Sequence, residues 1–226
     1  AEHVPVRRLV MLADLPQLAE QTRRQPLVLK AAGPRSSGGG KGIVIARRPA
    51  DVLAAPQRLA ACEQVVVEQF LEIEKNYCLT FAVVADAIRY LGGTEQVTDA
   101  DGVYCGNWLD LVGEPPRLAI DLGQEIMRRA AARGYRGIGG CDMVVDRKGG
   151  VKVIDLNFRL NGSTPAVLWQ RAVSWKFGRH RVARYLQWCA PGPLAQYLAA
   201  LHKLVDAGDL LPLAVFDPAE CPHSAG

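Results

Sequence analysis

GCDMVVDRKGGVKVIDLNFRLNGST, residues 140–164, decides how the chain is read. Two apolar runs, residues 143–145 and 151–154, flank Asp146-Arg147-Lys148-Gly149-Gly150, a polar segment with the glycines that tight turns use, so the stretch reads as a β-hairpin. A loop of two residues (Lys148, Gly149) and one of four (residues 147–150) give the same register, with Asp142 directly across from Asp155. Like charges facing each other across a strand pair are unfavourable unless something sits between them, and a divalent cation is the natural guest. Side chains two apart on a strand share a face, which groups Asp155, Asn157 and Arg159. Oxygen-only ligands of this kind suit Mg²⁺, which takes few protein ligands and completes its shell with water and phosphate oxygens. The alternative is a solvated polar face on an edge hairpin, because water also screens like charges.

Upstream, residues 26–31 (PLVLKA) and 42–47 (GIVIAR) read as two strands, with AGPRSSGGGK, residues 32–41, looping between them. Successive glycines can lay backbone N–H groups against an anion without side-chain obstruction; Ser36 and Ser37 add hydroxyls, and Lys30 and Lys41 add charge. Polyphosphate is the guest such a tip suits. A flexible Gly/Ser surface loop is the alternative, but this loop joins two strands that must pair with each other. It does not follow the P-loop pattern, since a strand rather than a helix comes after Lys41 and Gly42, and no GxGxxG opens a helix.

The rest of the chain supplies a frame. Residues 4–12 read as a strand, and Asp14 and Pro16 start a helix over 15–24 with Leu15, Leu18 and Ala19 inward. A second helix covers 49–62, with Val52, Leu53, Leu59 and Ala60 inward and a kink at Pro56. Residues 65–71 form a buried strand, giving the order β-α-β-β-α-β. Residues 77–85 and 87–91 pair around Asp86. Residues 92–111, with Glu95, Gln96, Asp99, Asp101 and Asn107, read as an irregular surface loop, a substrate-facing loop being the alternative. A helix over 116–133 places Leu118, Leu122, Ile126 and Ala130 on one face and Arg128, Arg129 and Arg133 near its C-terminus. KFGRHRVAR, residues 176–184, reads as a solvated helix face rather than a phosphate or nucleic-acid contact, for lack of interleaved aromatics. Residues 194–205 make a helix with Leu198, Leu201, Leu204 and Val205 inward, and 210–216 a closing strand.

Composition bounds the class. With 226 residues, 49% hydrophobic and 22% charged, the chain is globular material. A formal charge of +4 gives no case for nucleic acid, and no apolar run approaches the roughly 18 residues of a membrane span. The cysteines (Cys62, Cys78, Cys105, Cys141, Cys189, Cys221) show neither CxxC nor ligand spacing to histidine, so buried free thiols in a reducing cytoplasm are expected. The chain opens at Ala1 on what reads as the middle of a domain, which suggests a truncated chain.

LVLKAA, SSGGGKGIVI, VVVEQFLEIE and CDMVV with VIDLNFRLNGST, in that order, make residues 4–175 resemble the ATP-grasp superfamily of carboxylate-amine ligases. DLNFRLNGST, NYCLTFAV and LLPLAVFDP look most like its pheganomycin-type peptide ligases. The resemblance implies an α+β (α/β) ATP-grasp fold of two lobes, each an antiparallel sheet with helices, with nucleotide between them. Residues 1–74 would form the smaller lobe and 75–226 the larger, and the superfamily's N-terminal domain is missing ahead of the first strand. It implies ATP with Mg²⁺ (or Mn²⁺). Lys30 and Lys41 would hold phosphates, with Gly38, Gly39 and Gly40 closing over them between Ser37 and Gly42. Glu68, Gln69, Phe70 and Leu71 would be the hinge to adenine, and Glu74 or Asn76 the ribose contact. Asp142, Asp155 and Asn157 would hold the metal, with aspartate at 155 where many relatives use glutamate. Arg159 and Lys41 would stabilise charge at the reacting centre, and Asn161, Gly162 and Ser163 would line the acceptor side. The implied reaction moves the γ-phosphoryl group of ATP to a small-molecule or peptide carboxylate, after which an amine displaces phosphate. A carboxylase, a kinase-like member and a non-catalytic nucleotide-binding module are the rivals; Arg159 beside the metal argues against the last. Neither membrane nor nucleic acid is implied as a partner, and a homodimer is left open.

Overall fold

The computed structural model describes residues 2–33, 42–59, 62–85, 87–110, 114–177, 182–186 and 193–212. The chain divides into Ala1–Leu186, which holds two antiparallel sheets, and Gln187–Gly226. The architecture is the expected α+β fold of two sheets with helices.

The first sheet contains β1 (Arg7–Met11), β2 (Leu27–Ala32), β3 (Ile43–Ala46) and β4 (Gln64–Gln69), in the order β1-β4-β2-β3. Alternation sends Leu27, Leu29, Val65 and Val67 to a core closed by a 3₁₀ helix (Leu12–Arg23) and α1 (Pro49–Arg58). It leaves Val28, Lys30, Val66 and Glu68 on the opposite face. The first helix starts earlier than expected and is wound 3₁₀ rather than α. Residues three apart eclipse in a 3₁₀ helix, so Leu12, Leu15 and Leu18 form one ridge against this core, and Pro16 cannot donate to an α-helical ladder. In α1, Asp51 accepts hydrogen bonds from the Arg47 and Arg48 backbone N–H groups, both at 2.9 Å, fixing the helix start. Its inward residues are Val52, Ala55 and Leu59; Leu53, expected inward, is one step round the helix and exposed, and Ala60 lies outside the described residues.

The second sheet contains β5 (Ile73–Val84), β6 (Ala87–Thr98), β7 (Tyr104–Asp110), β8 (Gly137–Asp146), β9 (Val151–Asn157) and β10 (Val182–Tyr185), in the order β10-β7-β6-β5-β8-β9. The β5–β6 hairpin is as expected, its tip at position 86 lying outside the described residues. Residues 92–111 are not an irregular loop: they complete β6 and supply β7. On one face α2 (Arg117–Ala132) packs through Ala119, Ile120, Gly123 and Met127; Leu122 and Ile126 of the expected face also pack there, partly buried, whereas Leu118 is exposed. Gly123 permits close approach: a Cβ there would stand 2.4 Å from the Phe81 ring. On the other face lies α3 (Thr164–Phe177), with Val167 against Gly92. Of the basic run 176–184, residues 178–181 lie outside the described residues; 176–177 end α3, and 182–184 lie in the edge strand β10 rather than on a helix, where the Arg184 guanidinium lies 5.3 Å from the centre of the Trp108 ring.

The β8–β9 turn differs from expectation in a way that cancels. Asp146 N–H bonds to the Gly150 carbonyl and Val145 faces Val151, so the loop has three residues, with Gly149 in the left-handed region at φ 81°. That loop alone would place Asp142 opposite Ile154. A bulge at Ile154 restores the missing residue, and Asp142 faces Asp155 as expected.

The turn is also held by Asp146, whose Oδ1 accepts from Lys148 N–H and Gly150 N–H at 2.9 Å each. These bonds, the Gly150 one foremost, hold its carboxyl below the usual range. A carboxyl lowered on folding contributes stability that is fully present above the unfolded-state value, about 4, and is lost as pH falls through the folded-state value. Asp146→Ala is therefore expected to lower the thermal midpoint at pH 7, with the gap from wild type closing as pH falls below about 4. A gap that stays constant across that range would contradict this.

In Gln187–Gly226, α4 (Leu194–Asp206) is the expected helix, but it has no buried residue: Leu198, Leu204 and Val205, expected inward, are exposed. Residues 210–212 form no strand, and 213–216 of the expected closing strand lie outside the described residues. Among the described cysteines all are free thiols; Cys78 and Cys141 are buried, whereas Cys105 is exposed. No described helix is long and apolar enough to cross a membrane.

Candidate active site

The face of the second sheet opposite α2 is polar by alternation. Thr94 on β6, Cys78 on β5, Asp142 on β8 and Asp155 on β9 are successive cross-strand partners, forming one row across four strands. The neighbouring row runs Gly92, Thr80, Gly140, Asn157. The Asn157 side-chain amide lies between the two acids, donating to Asp142 Oδ2 at 3.3 Å and Asp155 Oδ2 at 3.2 Å. Burial above all, with the Asp155 charge added, pushes the Asp142 carboxyl up to about 6, against hydrogen bonds from Cys78 and Gln96 and the charge of Arg159.

This donor set fits a hard cation. Two facing carboxylates gain from one, and the Asn157 amide presents an oxygen when turned through half a rotation. Among the described residues no cluster of three or more His, Cys, Asp or Glu forms, so the set is these two acids and one amide, sparse in the way Mg²⁺ sites are. Arg159 follows the strand, exposed, with Nη1 donating to the Leu160 carbonyl at 3.1 Å.

Lys30 joins the two sheets. Its Nζ is 2.7 Å from Glu68 Oε2 and donates to the Ile154 carbonyl at 3.0 Å, the carbonyl of the bulged residue next to Asp155. The strand lysine is thus brought to the β8–β9 hairpin. The Glu68 carboxylate, buried, is taken by Lys30 and more distantly by Arg7 at 3.9 Å, and the Glu68 backbone is paired within β4 between β1 and β2. Gln69 N–H is taken by the Val6 carbonyl, Phe70 lies under the Arg47 guanidinium at 5.0 Å, and Leu71 is half-buried. Glu74 is exposed at an irregularity in β5, whereas the half-buried Asn76 has a buried Oδ1 without a hydrogen-bond partner among the described residues. Ser37, Gly38, Gly39, Gly40 and Lys41 lie outside the described residues, and Gly42 begins the approach to β3 with φ 82°.

The acceptor-side residues are packed rather than open. Asn161 Oδ1 accepts from the Ser163 and Thr164 backbone N–H groups, at 3.1 and 3.0 Å, capping α3. Gly140 makes room for it, since a Cβ there would lie 2.4 Å from Asn161 Nδ2. Gly162 packs against the Tyr104 ring. Ser163, expected to line the acceptor side, is 1% exposed, and its Oγ accepts from Asn107 Nδ2 at 2.9 Å and Gln96 Nε2 at 3.4 Å. Thr94, Tyr104, Asn107 and Cys78 were not among the expected site residues. The signal for them was alternation: Asn76, Cys78 and Thr80, then Thr94 and Gln96, put a polar side chain at every second strand position.

The fold recurs in solved structures. N5-carboxyaminoimidazole synthetase from Staphylococcus aureus in complex with ADP is 16% identical, with a TM-score of 0.58 over 72% of this chain and 42% of that one. For a biotin carboxylase from Campylobacter jejuni the values are 16%, 0.57, 84% and 44%. For D-alanyl-alanine synthetase A from Vibrio cholerae they are 13%, 0.52, 74% and 55%. The chain spans about half the length of these structures or less, and what it shares with them is the ATP-grasp fold. Residues 5–157 match the L-aspartate–L-methionine ligase family of ATP-grasp proteins, and the chain belongs to that family.

Proposed function

We propose that this protein is an ATP- and Mg²⁺-dependent ligase that activates an amino-acid carboxylate as an acyl phosphate and joins it to an amine, forming an amide or peptide bond. The observation that carries the reading is the junction at β9: Asp142, Asp155 and Asn157 share one face, and Lys30 of the first sheet bonds to the carbonyl adjoining Asp155. That junction supports a reading in which Lys30 and the three β8–β9 side chains act at one site. The lobes of this reading are residues 1–74 and 75–226.

In the first step a carboxylate oxygen attacks the γ-phosphorus and ADP leaves. In the second the amine attacks the acyl carbon, loses a proton, and phosphate departs with the acyl C–O bond. Asp142, Asp155 and Asn157 would hold Mg²⁺, or Mn²⁺ in its place, whose chemistry is to neutralise charge on the ATP phosphates. Lys30 and Lys41 bind and orient those phosphates. Arg159 stands at the acidic end of the site, able to pair with the anionic acyl phosphate. The backbone of Glu68, Gln69, Phe70 and Leu71 meets the adenine, and Asn76 or Glu74 the ribose, the unpartnered amide oxygen of Asn76 supporting the former. The family's substrates make aspartate and methionine the first pair to try, and the pheganomycin-type resemblance makes peptides the next. ADP release that requires both amino acids and yields their dipeptide supports the reading. ADP release driven by bicarbonate, or tight ATP binding without turnover under any acceptor, would replace it with a carboxylase or a binding module.

A further inference from the structure

Behind Asp142 lies a set of uncharged hydrogen-bonding groups that the ligase reading does not use. Gln96 Nε2 donates to Asp142 Oδ1 at 3.3 Å and to Ser163 Oγ at 3.4 Å. Asn107 Nδ2 donates to the same Ser163 oxygen at 2.9 Å and to Thr94 Oγ1 at 2.8 Å, while the Tyr104 hydroxyl donates to Asn107 Oδ1. Asn107, Ser163 and Thr94 are 0, 1 and 2% exposed, so these bonds are not shared with solvent. Two strands, β6 and β7, and Ser163 just ahead of α3 are thus linked through Gln96 to one carboxylate oxygen.

The bonding has a direction. Oδ1 of Asp142 is held by Gln96 from the β6–β7 side, and Oδ2 faces Asp155 and Asn157 across the hairpin. The Gln96 amide nitrogen is engaged by both Asp142 and Ser163, and Ser163 is itself held by Asn107, so turning the amide oxygen towards Asp142 would lose that bond and set two acceptors against each other. The donor is also neutral. A lysine or arginine at position 96 would cancel the charge of Asp142 and compete with a cation, whereas an amide satisfies one oxygen and leaves the charge for the other.

Resting on the ligase reading, we propose that Gln96 is a positioning residue, locked by Ser163 and Asn107, that fixes Asp142 with Oδ2 presented to the metal of the metal–nucleotide complex. It touches neither metal nor substrate and sets how tightly the metal is held.

The test uses the full chain, Mn²⁺ as the probe and a non-hydrolysable ATP analogue, with free Mn²⁺ counted by electron paramagnetic resonance. Partners that hydrogen-bond a ligating group typically carry about 10- to 100-fold in metal affinity, and Gln96→Met is expected to weaken Mn²⁺ in the ternary complex by about that factor. Affinity for the analogue without metal, and the thermal midpoint, are expected to stay at wild-type values. Gln96→Asn, which keeps an amide but is one methylene too short to reach Oδ1, is expected to behave like Gln96→Met, and it carries the test if Met disturbs folding. Mn²⁺ affinity within twofold of wild type in both variants overturns the proposal, as does an equal loss of metal-free nucleotide binding, which would mark Gln96 as merely structural. Wild-type chain that takes up no Mn²⁺ with the analogue overturns the ligase reading itself, and this inference with it.

Discussion

Asp155→Ala is expected to lower Mg²⁺-dependent turnover by about 10³-fold, the several kcal/mol that a positioned divalent ion contributes to phosphoryl transfer. The fold should survive it. Asp155 is exposed on the edge strand, and among the described residues its hydrogen bonds are local, to the Leu156 N–H at 2.9 Å and the Asn157 amide at 3.2 Å. Its charge is one of the causes that push Asp142 up to about 6, second among the raising causes to burial. A carboxyl raised on folding costs stability at pH values above its unfolded-state value, so removing one cause of the rise lessens that cost. The variant should therefore melt at or slightly above the wild-type midpoint at pH 7 while losing activity. Turnover as in wild type would remove Asp155 from the metal set; loss of activity together with a large fall in midpoint would make it structural.

Lys30→Met should destabilise the chain by about 3 kcal/mol, the usual consequence of leaving one member of a buried ion pair alone. The Glu68 side chain is only 5% exposed, against 22% for that of Lys30, and its other basic neighbour, Arg7, stands 3.9 Å away on a largely solvated side chain. Such a distant, exposed partner compensates little. The same substitution removes the bond to the Ile154 carbonyl and with it the direct tie between the first sheet and the metal strand. Glu68→Gln added to Lys30→Met should recover most of the stability, because no charge is then left buried, but should not recover nucleotide affinity. Chemical denaturation of the two variants reads the first effect and nucleotide titration the second. A single variant as stable as wild type would show that Glu68 is accommodated some other way.

Much of this was legible in the order of residues. The β8–β9 hairpin, the facing aspartates and the strand lysine followed from alternation and turn chemistry. Even there the expected register holds with a turn of neither expected length, because the bulge at Ile154 offsets the three-residue loop. A bulge leaves no mark in composition, since an apolar residue occupies it as readily as a paired one. Residues 92–111 were misread because their polar side chains suggested a surface loop, and their glycines did not point to a sheet. Gly106 is instead a site of close approach within the sheet: at φ 126°, a Cβ would lie 2.1 Å from the Tyr185 carbonyl oxygen on β10. Gly93 likewise admits Pro115, whose Cγ would be 2.6 Å from an added Cβ. Glycine that admits a neighbour and glycine that permits a turn are the same letter, and only the partner distinguishes them. The Gln96, Asn107 and Ser163 network was hidden behind that misreading.

The most direct test of the account follows the oxygen. With aspartate and methionine as substrates and ¹⁸O in the aspartate carboxylates, an acyl-phosphate route passes one carboxylate oxygen to the phosphate released in each turnover. Mass spectrometry of that phosphate should find one ¹⁸O per molecule, formed together with ADP and the dipeptide. Dipeptide formed with unlabelled phosphate, or with AMP and pyrophosphate in place of ADP, would contradict carboxylate activation at this site.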